Sequence, residues 1–185
     1  TCARYTSGAA KCWGQGGSLG IGTIDGKDSA TQVVGLTSGV TAIAAGPGHA
    51  CAIQSGALKC WGSTKFGEFG VGTPVDAADT DGSGIASGPT IIGPDDCDGD
   101  PTQEFGIGLA PCALTPKQVP GLTSGVTAVS IGDGNTCAVH NGAIKCFGIA
   151  GVIIDPATSG LVTCNEGNLS CALAPVTVPG MGSGV

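Results

Sequence analysis

The chain is poor in most of the side chains that carry chemistry. Its 185 residues include two His, one Met, two Trp, one Tyr and four Phe, and seven Lys and Arg stand against 14 Asp and Glu. With a net charge of −7 and no basic stripe to neutralise phosphates, the sequence argues against nucleic-acid binding. No apolar run approaches the ~20 residues of a membrane-crossing helix, so no membrane span is expected. The two histidines, His49 and His140, make no Ser/His/Asp or Cys/His arrangement, and no Cys/His set has zinc spacing. The glycine-rich run Gly16–Gly22 lacks the Lys-Ser/Thr of a phosphate loop. No enzymatic constellation is expected. Helix start and stop signals are missing too. The first residue is Thr1 with no leader before it, which reads as a mature or excised segment whose export signal lies elsewhere.

What the chain has is glycine, cysteine and repetition. Gly (35) and Pro (11) make up about a quarter of it, bordering on low complexity, but a regular repeat argues against disorder. The stretch from Cys51 to Gly62, CAIQSGALKCWG, recurs from Cys2 as CARYTSGAAKCWG and from Cys137 as CAVHNGAIKCFG. Counting outward from the Ser55-Gly56 turn pairs Gln54 with Ala57, Ile53 with Leu58, Ala52 with Lys59 and Cys51 with Cys60. Pairs alternate between hydrogen-bonded and non-hydrogen-bonded, which puts the cysteines at a non-hydrogen-bonded site, where the backbones are closest. The same count around Asn141-Gly142 sets Cys137 opposite Cys146. In the first copy a three-residue turn, Thr6-Ser7-Gly8, keeps Cys2 opposite Cys12. Each copy therefore reads as a β-hairpin with its own cross-strand disulfide.

Between hairpins, short strand-like runs are split by Gly-containing turns. Small residues fill Val40–Ala45, as suits the innermost strand of a β-propeller blade, which crowds around an axis. The expected fold is all-β, with propeller-type blades in three repeats: 1–50, 51–136 with an insertion at about 73–116, and 137–185 with an insertion at about 149–170. Cys112-Ala113-Leu114-Thr115-Pro116 aligns with Cys171-Ala172-Leu173-Ala174-Pro175, and the unit without an insertion has no cysteine there. Each insertion is thus expected to bring a partner and be pinned at its base, by Cys97–Cys112 and Cys164–Cys171. All ten cysteines are then paired locally, which implies an oxidising setting, outside the cell, at its surface or in a periplasm.

The unit Gly-x-x-His-x-Cys-Ala, Gly-x-x-Lys-Cys-Trp-Gly, Leu-Gly-x-Gly and Gly-Leu-x-Ser-Gly-Val resembles the regulator of chromosome condensation repeat, in the cysteine-bearing form of secreted and surface bacterial proteins. The resemblance spans nearly all of the chain outside the insertions. It thins in the third unit, where Asn135 stands in the histidine position and Leu-Gly-x-Gly is missing. The family implies a propeller, usually of seven blades. Three blades leave an incomplete ring, and its open sheet edges invite a neighbour, other proteins or copies of this chain. His49, at the family's histidine position, is expected to bond between neighbouring strands. Trp13, Trp61 and Phe147 occupy equivalent slots and are expected to pack between blades.

One chemical signal remains. Asp96, Asp98 and Asp100 alternate around Cys97 and Gly99, a spacing that lets carboxylates curl around a hard cation such as calcium; without the cation it is a solvated acidic loop. No other cofactor is expected. Asn168-Leu169-Ser170 is a formal glycosylation site. The functional expectation is a non-enzymatic extracellular or cell-surface module, structural or protein-binding, with a fibre subunit as one form. Its alternatives are a secreted enzyme-inhibitor propeller, of the kind that blocks β-lactamase, and a calcium-binding adhesion module. The family's nuclear nucleotide-exchange role fits poorly with paired cysteines.

Overall fold

The computed structural model describes residues 1–63, 112–150, 161–164 and 169–185, which form three antiparallel sheets and, among the described residues, no helix. The first sheet has the order β1 (Cys2–Arg4), β2 (Ala10–Gly14), β3 (Lys27–Gln32). The second runs β4 (Val40–Ala45), β5 (His49–Gln54), β6 (Ala57–Ser63), β7 (Cys112–Gln118). The third holds β8 (Val126–Ile131), β9 (Asn135–His140), β10 (Ala143–Ile149), β11 (Leu161–Cys164) and β12 (Leu169–Thr177). Its order is β8-β9-β10-β12-β11, so the β11–β12 hairpin puts an extra strand on the outer edge. β4 and β8 approach one another and β1 lies beside β4, as strands nearest a shared axis do.

The hairpins show why these residues turn where they do. Ser55 and Gly56 have φ of 52° and 80°, and Asn141 and Gly142 have 52° and 76°. Positive φ at both central residues is the type I′ turn, whose twist matches that of its strands. In the first hairpin Tyr5 N–H donates to Ala9 O at 2.8 Å, Gly8 N–H donates to Tyr5 O at 2.9 Å, and Gly8 closes the three-residue loop at φ 80°. Both solutions put the cysteines opposite one another. Cys2–Cys12, Cys51–Cys60 and Cys137–Cys146 are disulfides, with Cα atoms 4.1, 4.0 and 4.1 Å apart. Separations this short belong to non-hydrogen-bonded pairs.

Sheets and sequence units are out of phase. Val40–Ala45, the last strand-like run of the first unit, pairs with β5 and so opens the second sheet; Val126–Ile131 does the same for the third. β7 starts at Cys112, inside the 73–116 span, and β11 and the start of β12 fall inside 149–170. The core lies between the sheets. Side-chain alternation turns Cys51 and Ile53 toward the third sheet, where they meet Ala138 and Phe147. Ala50, Ala52 and Trp61 face the first, against Ala10, Cys12, Val33 and Leu36. β5 is consequently buried on both faces.

Candidate functional site: the contacts between sheets

The aromatic slot after the second cysteine lies on the side of each sheet opposite its disulfide. Trp61 and Phe147 are wholly buried against the preceding sheet, while Trp13, on the first sheet, is only half-buried. Trp61 is covered by the glycine-rich strap of the first unit. Leu19 is buried beside it, and an added Cβ at Gly20, where φ is +70°, would come within 2.7 Å of Trp61 Cδ1 and Nε1. The strap is tied down by Gly22 N–H to Leu114 O (2.9 Å), on β7 of the second sheet, and by Val34 N–H to Gly20 O (2.9 Å). The fit leaves Trp61 Nε1–H without a hydrogen-bond partner.

His49 is 2 % exposed, and its Nε2 lies 2.8 Å from Thr136 Oγ1 on β9. The bond joins two sheets rather than strands of one sheet. Burial strips the imidazolium of water and pushes the pKa of His49 down to about 4, so the ring is neutral at physiological pH. A neutral imidazole beside a hydroxyl has the distance of a base–nucleophile pair. Here both partners are sealed in the core, with Thr136 at 0 % exposure, and no substrate can reach them. The arrangement makes a buried hydrogen bond, not a catalytic one. Across the strand pair His49 faces Gly62, where an added Cβ would stand 2.6 Å from Gly48 O, so the glycine after the tryptophan makes room for the histidine loop.

The fold recurs in solved structures. Yeast RCC1 (Prp20) bound to Kap60 matches over 94% of this chain and 34% of its own, with a TM-score of 0.58 and 19% identity. Prp20p from Saccharomyces cerevisiae, described with its binding to Gsp1p and histones, matches at TM-score 0.60 and 17% identity, over 93% of this chain and 35% of its own. Human WBSCR16 matches at TM-score 0.56 and 16% identity, over 94% and 34%. The chain has an RCC1-like β-propeller fold. Its three sheets are blades, and it spans about a third of the length of those chains. No protein-family model and no curated protein matches the sequence.

Within the RCC1-like blades lie glutamines that the sequence pattern did not single out. Gln32 Nε2 donates to the carbonyls of Ala10 (2.9 Å), Val33 (3.0 Å) and Leu36 (2.9 Å), clamping the Gly-Leu turn onto the hairpin. Gln118 repeats the clamp on Leu58 (2.7 Å), Val119 (3.3 Å) and Leu122 (3.2 Å). The available signal was the repeated Gln-Val before each turn, which Thr177-Val178 breaks in the third blade. Gln54 Nε2 reaches back to Gly35 O (3.1 Å) and Ser38 O (2.8 Å), fastening the second hairpin tip to the preceding turn. His140 also sits at a tip, its Nε2 3.1 Å from Asn141 Nδ2. Cys171 is disulfide-bonded as well. Backbone register places Val162 opposite Cys171 and Cys164 opposite Leu169, while the Cys164 side chain lies outside the described residues. Cys97, its pairing with Cys112, the candidate ligands Asp96, Asp98 and Asp100, and Asn168 also lie outside them. Among the described residues no cluster of three metal-ligating side chains exists, and no helix is long and apolar enough to cross a membrane.

Proposed function

We propose that the chain is a non-enzymatic, extracellular protein-interaction segment, a set of rigid propeller blades that presents loops and hairpin tips to other proteins. The observation that carries this reading is where the cystines sit. Cys12, Cys51 and Cys60 are at 0 % exposure in the contacts between blades, so each disulfide doubles as core packing in a chain with few aromatics to pack. A protein that depends on buried cystines for its core works in an oxidising compartment. The His49–Thr136 pair, an imidazole within hydrogen-bond distance of a hydroxyl, is sealed in the core away from any substrate, which fits a non-catalytic role for it. The acidic balance favours protein contacts over nucleic acid.

The test is to quench cells or culture medium with an alkylating agent in denaturant, so that any buried free thiol is exposed to it, and recover the protein, with cross-linking of a parallel native sample before recovery. Cysteines protected from alkylation and cross-links from hairpin-tip residues to other proteins are the expected result. Alkylated Cys51 or Cys60 in freshly quenched protein would overturn the extracellular assignment.

A further inference from the structure

The cations of this chain are scattered in the sequence and gathered in the fold. Every blade has two ends. One carries the hairpin tips and the Gly-Leu turns; the other carries the β4–β5 and β8–β9 turns and the starts of β3 and β7. Register assigns the charged side chains of the described residues to one end or the other. Arg4 pairs with Ala10 beside the first tip, and Lys11, Lys59 and Lys145 recur on the tip side of the three cystines. Lys117, next to last in β7, lies opposite Cys60. The carboxylates are at the far end: Asp25 and Asp28 lie close to Lys27, which faces Gly14, and Asp133 sits in the β8–β9 turn. The one ion pair among the described residues, Lys27 Nζ to Asp25 Oδ2 at 3.5 Å, is at the far end too. The tip end thus carries cations and, among the described residues, no Asp or Glu.

The two joints between blades reach this charge by different routes. At the first joint Lys59 extends to the tip, where its Nζ donates to Gln54 Oε1 at 2.7 Å. Arg4 lies on the cystine face, which the first blade turns toward the second. It stands where the second blade has Ile53, at 1 % exposure, yet Arg4 is exposed with the second blade in place. At the second joint Lys145 takes the position of Lys59, and the buried Ile53 supplies no charge. Lys117 supplies it instead, exposed on the face turned toward the third blade, where the other two blades have Thr31 and Val176. A neutral repeat position therefore becomes cationic once at each joint, from a different strand each time. Core packing does not account for this, because both side chains are exposed. Repulsion among like charges opposes folding, and no ion pair offsets it at this end among the described residues.

We propose that the hairpin-tip end of the blades is a docking surface for an acidic segment of a partner protein, with Arg4 and Lys117 as exposed contacts and Lys59 and Lys145 beside them. The proposal rests on the protein-interaction reading and gives the partner its chemistry. A short acidic segment can match cations placed one joint apart. Duplex nucleic acid, with a charge about every 1.7 Å, would instead extend along a chain whose net charge is −7. Aspartates at the far end and cations at the tips give the blades a charge axis, which orients an acidic partner toward the tips before contact.

Fluorescence anisotropy of a labelled oligoglutamate of about ten residues tests it, at about 50 mM salt, where screening is weak. Saturable binding that weakens as salt is raised is the expected result. Arg4→Glu combined with Lys117→Glu should weaken binding at least about 10-fold, while Asp133→Lys at the far end should change it by less than about 2-fold. An oligothymidylate of equal charge should bind more weakly than the peptide. Circular dichroism and intact hairpin disulfides establish that the variants fold; Arg4→Gln with Lys117→Gln serves if the charge reversal does not. No saturable peptide binding up to about 1 mM protein overturns the proposal, as does an unaffected double variant. A gain from Asp133→Lys as large as the loss in the double variant also overturns it, because net charge rather than position would then be the cause. Tighter binding of the oligothymidylate overturns the acidic protein as partner. Cross-links from the hairpin tips to other proteins, without any peptide binding, would refute the charge reading alone and keep the interaction reading.

Discussion

Acidification is expected to loosen the joint between the second and third blades through His49. The ring is buried and neutral, with a pKa pushed from 6.5 down to about 4. Because the folded-state pKa is the lower one, the unfolded chain takes up a proton at His49 before the folded chain does. The stabilisation held by the neutral ring is therefore complete above about pH 6.5, declines as pH falls, and is gone below about pH 4. The slope approaches about 1.4 kcal/mol per pH unit, and the whole interval amounts to about 3 kcal/mol. In a domain of this size that corresponds to a fall in Tm of about 6–12 °C. Carboxylates titrate over part of the same range, so the comparison must be with a variant that lacks only this proton site. His49→Asn is the natural choice, since Asn135 fills the same position in the third unit. Chemical unfolding of wild type and variant with disulfides intact, from about pH 7.5 down to about pH 4, should give stability differences that shrink by about 3 kcal/mol toward the acid end. Parallel profiles would refute the reasoning, because they would mean that the imidazole accepts a proton as readily folded as unfolded.

The other contacts carry predictions of their own. Replacing Cys51 and Cys60 together by Ala opens a nine-residue loop at 0 % exposure, and should cost about 3 kcal/mol from chain entropy plus a packing loss, read as a lower denaturation midpoint. Gly20→Ala meets both a positive φ and the Trp61 indole, and should destabilise by about 2–4 kcal/mol in the same assay. Trp61→Phe should cost less than the ~3–5 kcal/mol of Trp61→Ala, because Phe147 already fills that slot and the change removes an unpartnered N–H. Gln118→Ala removes the side-chain donor from the Leu58, Val119 and Leu122 carbonyls, each of which keeps a backbone N–H, and should lose about 0.5–1.5 kcal/mol; a neutral result would show that the clamp is incidental. In native-state hydrogen exchange, β5 amides should be the slowest, and β9 and β10 faster, because the third blade has Thr177 in place of the glutamine.

The all-β architecture was legible because a cross-strand disulfide ties register to sequence spacing: once Ser55-Gly56 and Asn141-Gly142 are read as turns, the positions of the paired cysteines follow by counting. The aromatic slot was legible for a related reason, since three equivalent residues cannot all be accidents of one site. What the sequence could not reveal is where a sheet begins. Repeat period says nothing about phase, so a unit drawn from hairpin to hairpin hides that Val40–Ala45 belongs to the following blade. The partner of His49 was out of reach as well. Thr136 comes from a unit in which the histidine itself is replaced, and only the packing of β5 against β9 brings the two together. The glutamine clamps were overlooked because their acceptors are backbone carbonyls, which leave no trace in residue type.

Putting the cystine and the aromatic on opposite faces of every hairpin has a consequence for how the blades join. A sheet that alternates side chains must present two different surfaces, and here the difference is large: a sulphur bridge with small aliphatics on one side, an indole or phenyl ring on the other. Like faces do not complement one another, because two rings meeting would leave unfilled the hollow that each ring occupies in its native contact. Unlike faces do, and the strap over Trp61 shows how closely, with no room for even a methyl group at Gly20. The packing of one blade on the next is therefore directional within the chain, and a charge placed on one face, as in Leu58→Glu, should weaken the joint between the second and third blades more than the joint between the first and second.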